Sequence, residues 1–200
     1  MDEQEKSEPR QRVLDVAEQL FIERGYAAIK LHDIANAVGI RQASLYYHFP
    51  EGKEQLFVAM ATRVFKRHQI GIQMAIEQAE PTLAAQLQAV IEWFAAQPPL
   101  HLLGMIHADM PALSPPQATA LYQVVYQSMF APVRQMFSAA QARDEIRPLH
   151  PDLLTGSFLS LMDGLHYGQS RPGAPPMAVI IDEIITLLLD GLHPRPNPIK

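Results

Sequence analysis

Residues Gly25–Leu56 read GYAAIKLHDIANAVGIRQASLYYHFPEGKEQL, and the spacing of their apolar residues decides the fold. Leu31, Ile34, Ala35 and Val38 recur at i, i+3, i+4 and i+7, the period of one helical face, and Gly39 closes that helix with a tight turn. A short helix follows from about Gln42 to His48, stopped by Pro50 and Gly52. Upstream, Val13, Ala17, Leu20 and Phe21 form a third face at the same period, with Gly25 suited to end it. Downstream, Leu56, Met60 and Val64 open a long helix that starts near Lys53 and runs, with a weak point at Gly71, to the boundary at Glu80 and Pro81.

Three short helices with a glycine turn between the second and third form a helix-turn-helix, a shape that offers the outer face of its third helix to the major groove of DNA. With Leu45 directed inward, 100° per residue turns Phe49 inward as well. Ala43 and Tyr47 then point outward, with Ser44 and Tyr46 on the flanks. Hydroxyls hydrogen-bond base edges or phosphates, rings and methyls touch thymine methyls, and small Ala43 admits close approach. Lys30, Arg41 and Lys53 surround that face as candidate phosphate contacts, helped by the free amides at the starts of the second and fourth helices. The unit is nevertheless net acidic: Met1 to Glu54 holds ten Asp and Glu against seven Lys and Arg. Attraction to DNA must therefore come from local placement of cations.

The ordered elements Gly25-Tyr26, Asp33-Ile34-Ala35, Val38-Gly39-Ile40, Ser44 to Pro50 and Lys53-Glu54-Gln55-Leu56 resemble the DNA-binding domain of TetR-family transcriptional regulators, over about a quarter of the chain. The resemblance implies a dimer whose C-terminal helical domain binds a small molecule and thereby changes operator affinity. Carried over by position, it makes Gln42, Ala43, Ser44 and Tyr47 base-contacting candidates, and Tyr46, His48 and Lys53 phosphate candidates. The chain departs from the family pattern at Ile29 and Lys30, where Thr or Ser is common, and at Arg41, where a capping hydroxyl is common. The turn before Lys53 is also one residue longer. Two helix caps are expected to be missing, at roughly 1 kcal/mol each.

Composition bounds the rest. Of 200 residues, 48% are hydrophobic and 18% charged, and the net charge is -5, which describes a folded domain and excludes a fibrous or highly charged disordered chain. With no cysteine, disulfides, thiolate metal sites and thiol catalysis are excluded. A polar Met1–Arg12 start and apolar stretches broken by Asp182, Glu183 and Asp190 lead us to expect a cytoplasmic protein with no membrane association.

The whole chain reads all-α. The expected division is a helix-turn-helix domain over residues 1–52, joined by the long helix to an effector-binding and dimerisation domain over 53–200. Prolines divide the latter into a helix from about Thr82 to Ala96, a short one after Pro99, a longer one after Pro116, and two more after Pro151 and Pro176, with a loose end from His193. Gly156, Ser160, Gly164 and Gly168 make a small-residue stripe at every fourth position. The last helix carries Ile181, Ile184, Ile185 and Leu188, with Ile180 and Leu187 widening its apolar face beyond one neighbour's needs. We expect these last two helices to form an isologous four-helix dimer interface.

Effector candidates are Trp93, His101, Met105, His107, Tyr126, Met129, Phe130, Phe158, Met162 and His166, whose chemistry favours an apolar or aromatic ligand. Each has plain core packing as its alternative. His101 and His107, six apart, do not converge on one ion from a continuous helix. No hydrolase, zincin or phosphate-loop motif occurs, so neither metal, cofactor nor catalysis is expected. The competing reading is a helical ligand-binding or interaction protein that keeps the domain shape without recognising DNA.

Overall fold

The computed structural model describes residues 2–166 and 172–193, with side chains from residue 8 onward. Among these residues every regular element is helical. Gly168 and the segment 194–200 lie outside the described residues. Packing divides the chain into two compact units. One comprises Met1–Lys66 with His101–Val125, the other Arg67–Leu100 with Tyr126–Lys200. This division differs from a cut at residue 52, because the long helix contributes to both units and a later segment belongs with the first.

In the first unit, helices α1 (Asp2–Ala28), α2 (Leu31–Val38), α3 (Gln42–His48) and the first half of α4 (Lys53–Gln78) surround an apolar core. Val13, Leu14, Ala17 and Phe21 of α1, Ile34 and Ala35 of α2, Leu45 of α3, and Leu56, Phe57 and Met60 of α4 are all buried. Phe57 meets Phe21 edge-on at 5.1 Å and Tyr26 at 4.9 Å. Arg63 of α4 spans to α1, reaching Asp15 at 2.7 Å and Glu18 at 3.0 Å. The first helix begins well before Val13 and contains Pro9; it breaks at Gly25, whose φ of 74° and ψ of 166° redirect the chain rather than form a left-handed cap. Gly39 does form that cap, at φ 78° and ψ 32°, with Ile40 N–H donating to the Ala35 carbonyl at 3.0 Å.

The remainder of this unit is α6 (Leu102–Gly104), a π-helical turn Met105–Asp109, a 3-10 turn Met110–Ala112 and α7 (Pro115–Val125). His101 enters it in the left-handed region at φ 52°. The second unit holds the end of α4, α5 (Leu83–Ala95), a π-turn Tyr126–Phe130, α8 (Ala131–Ala142), α9 (Pro151–Gly164) and α10 (Met177–Leu192). There α5 packs on α8 and α10, and α9 packs on α8 and the π-turn, with Phe137 edge-on to Phe158 at 5.9 Å.

Helices start at or just after Pro81, Pro99, Pro115, Pro151 and Pro176, close to the expected divisions, whereas Pro111 and Pro132 each follow a π-turn by two residues. A proline ring inside a helix collides with the carbonyl four residues earlier and cannot donate to it. Widening the preceding turn to the π register accommodates it; at Pro132 the chain continues as α8, whereas at Pro111 only the 3-10 turn to Ala112 follows before Leu113 becomes extended. The expected weak point at Gly71 is likewise absent, since α4 passes through it to Gln78.

Candidate nucleic-acid interface

Helix α3 separates its faces as amphipathic geometry demands. Leu45 is wholly buried and Phe49 nearly so, while Tyr47 is 68% exposed and Tyr46 47% exposed. Gln42, Ala43 and Ser44 are exposed beside them, and His48 is half-buried with its ring edge-on to Tyr47 at 5.1 Å. Lys30 and Arg41, the residues before α2 and α3, are exposed. The outward face thus combines hydroxyls, an aromatic ring, a small residue and two flanking cations, a set able to hydrogen-bond bases and pair with phosphates.

The helix starts differ from each other. Neither Lys30 nor Arg41 caps through its side chain. For α2 the lack is partly met from within, because the Asp33 carboxylate accepts the Lys30 N–H at 2.8 Å, half of a capping box. The three-residue spacing was the available sequence signal. At Arg41 no such substitute is present, and α3 is held by burial of Leu45 and Phe49.

Lys53 sits at the start of α4, half-buried, with its ammonium 4.1 Å from the centre of the Tyr26 ring. Burial lowers its affinity for the proton from the ordinary lysine value, opposed by the Asp109 carboxylate. Burial also raises the Tyr26 hydroxyl, with the charge of Glu54 adding to it. In this arrangement Lys53 holds an aromatic ring, a contact worth about 1 kcal/mol. The apolar period that marks α1 in the sequence begins at Val13 and gives no sign of Arg10. The longer α1 brings its guanidinium over the Phe49 ring at 5.1 Å, adding a cation at the end of α3.

The effector candidates fall in both units. His101, Met105 and His107 belong to the first, with Met105 buried and both histidines exposed. The other seven belong to the second, where Met129, Phe158 and Met162 are core, Tyr126 stacks on Phe130 at 6.4 Å, and His166 Nε2 lies 3.3 Å from the Phe94 carbonyl. A surface groove of about 410 Å³ in that unit is lined by Trp93 together with Gly71, Met74, Ala75, Gln78 and Glu92 among others. The described residues contain no cluster of three or more metal-ligating side chains, and none of their helices is long and apolar enough to cross a membrane.

Among the described residues the chain is all-helical, with a helix-turn-helix head whose third helix exposes an aromatic, hydroxyl-rich face, the arrangement found in DNA-binding regulators. Residues 13–60 match the model of the family described as bacterial regulatory proteins, tetR family, so the resemblance to that family is carried by the helix-turn-helix head. It is similar along its length to the HTH-type transcriptional repressor DhaR of Mycobacterium sp. (strain GP1), at 27% identity over 96% of both chains. Over 51 residues, 26% of this chain and 24% of the relative, it is 49% identical to the HTH-type transcriptional repressor KstR2 of Rhodococcus jostii (strain RHA1). Its fold is similar to that of AibR, solved in complex with isovaleryl coenzyme A and operator DNA. The TM-score is 0.75 at 19% identity, covering 90% of this chain and 97% of that one.

Proposed function

We propose that this regulator is a dimeric repressor that occupies a palindromic operator through α3 and leaves it when a small, mainly apolar effector binds. Residues 1–52 serve as the DNA-binding domain and 53–200 as the effector-binding and dimerisation domain. The observation that carries the reading is the outward Tyr47: Leu45 and Phe49 already fill the core side of α3, so packing gives no reason for an exposed ring there. Gln42, Ala43, Ser44 and Tyr47 read bases, while Lys30, Arg41, Tyr46, His48 and Lys53 hold phosphates, Lys53 by leaving the Tyr26 ring.

Dimerisation supplies the second head that a palindrome requires, with half-sites about 34 to 36 Å apart. Its support is the apolar surface of the last two helices. Leu153 and Leu161 of α9 and Val179 and Leu187 of α10 are exposed, and Ile184, Ile185 and Leu188 only half-buried. A Cβ built at Gly156 or Gly164 meets nothing within 4 Å, which leaves the stripe with Ser160 open to a close crossing. Ile181 is buried and contributes from beneath. Effector control follows if the ligand binds one spacing of the heads more tightly than the other.

The test is selection of bound fragments from random DNA, followed by titration of the selected site. Tyr47→Ala is expected to weaken the selected site by about 1 to 3 kcal/mol and to blur sequence preference, whereas Lys53→Ala weakens all sequences evenly and flattens the salt dependence. A protein that selects no sequence and shows no salt-dependent affinity would instead be the non-DNA-binding helical protein.

A further inference from the structure

The turn that hands the chain from α1 to α2 is held by a residue 83 positions away from it. Tyr26 N–H donates to Asp109 Oδ1 at 2.8 Å, and a Cβ at Gly25 would stand 3.3 Å from the same oxygen, close enough to crowd the carboxylate by a few tenths of an ångström. On its other side Tyr26 packs against Phe57 and under Lys53 of α4. From this turn the chain passes through buried Ile29 into α2, and α2 leads through Gly39 into α3. Displacing the Gly25–Tyr26 peptide would therefore move the start of the helix-turn-helix.

Asp109 is the last residue of the π-turn, and the register of that turn sets its direction. Met110 N–H donates five residues back to Met105, where a regular α-helix would have it serve Ile106. The next residue is Pro111, which has no N–H, so the Ile106 carbonyl has no backbone donor in either place. The Tyr122 hydroxyl donates to it at 3.2 Å. A second tie follows directly: Glu54 of α4 accepts the Ser114 N–H at 2.7 Å and its hydroxyl as well. The stretch 109–114 is thus fastened to the head at both ends.

We propose that Asp109 is a positioning residue for the DNA-reading head, holding the Gly25–Tyr26 turn in place, and that Tyr122 keeps the π-turn in the register that aims it there. The role rests on the DNA-binding reading above. The test uses the full chain and the DNA fragment that wild type selects from random sequence, with amide hydrogen exchange at Tyr26 followed in parallel. Asp109→Ala is expected to lower affinity about tenfold and to speed Tyr26 exchange, since a hydrogen bond to a charged acceptor is lost. Asp109→Asn keeps an acceptor of the same shape and should restore both to within about threefold of wild type. Should Asp109→Ala not fold, Tyr122→Phe at an exposed site gives the same readouts, expected to move in the same direction.

Unchanged affinity and Tyr26 exchange in the alanine variant, or an asparagine variant as impaired as alanine, would overturn the positioning role while leaving DNA binding intact. Wild-type behaviour of Tyr122→Phe would overturn the register half. A wild-type protein that selects no DNA overturns both this role and the function it serves, a result distinct from the other two because it needs no variant.

Discussion

At the scale of single residues, the informative positions are those where a side chain and its environment disagree with the bland expectation. Tyr47 is a large ring left in solvent; Gly71 is a helix-weakening residue in an unbroken helix. The reason for Gly71 is Trp93, whose Cε2 would stand 2.1 Å from a Cβ there, so the indole lies directly on the α4 backbone. That placement also brings the indole N–H within 3.4 Å of His68 Nδ1. Gly71→Ala should therefore destabilise by about 1 to 3 kcal/mol despite alanine's better helix propensity. Chemical denaturation checks this, and pairing the change with Trp93→Leu should recover most of the loss. From sequence the glycine could only be read as a weakness, because the residue lying on it is 22 positions away.

At the scale of elements, short helices depend on what holds their ends and faces. Helix α3 has seven residues, fewer than an isolated helix needs in water, and its stability comes from the packing of Leu45 and Phe49. Helix α5 is capped twice: the Thr82 hydroxyl accepts the Ala85 N–H at 3.3 Å, and the Glu145 carboxylate accepts the Leu83 N–H at 2.5 Å. Burial alone would raise the Glu145 carboxyl, but hydrogen bonds from Arg143 and Leu83 together with the Arg143 charge hold it below the ordinary 4.5. A depressed carboxylate stabilises the fold above its unfolded value and loses that contribution as pH falls through the folded one. Wild type should thus exceed Glu145→Gln in stability at pH 7, and the gap should close as denaturation is repeated below about pH 4. Thr82 was legible as a helix start, whereas Glu145 was not, being joined to Leu83 only by packing within its unit.

At the scale of the molecule, the apolar surface of α9 and α10 exceeds what one copy buries. Helix α10 has only Ile181 and Leu192 buried, although most of its sixteen residues are apolar. Leu187, 67% exposed, is the clearest surplus. For the proposed dimer, Leu187→Asp should leave a monomer at micromolar concentration by sedimentation. It should also weaken binding to a palindromic site by on the order of 100-fold, because the second head loses its effective concentration. A variant that sediments as wild type and binds equally well would overturn the proposed interface at Leu187.

The helical class, the head from Val13 to Leu56 and the inward and outward sides of α3 were readable in the chain because all three depend on apolar spacing within a few turns. The Asp109 and Glu54 ties, the indole on Gly71 and the two π-turns were not, since each depends on a partner or a carbonyl that only the folded backbone brings near. Local periodicity follows from bond geometry and the aversion of hydrocarbon to water, which every segment expresses by itself. Long-range hydrogen bonds and close contacts exist only after the chain has paid the entropy of meeting itself, and no short window of residues contains them.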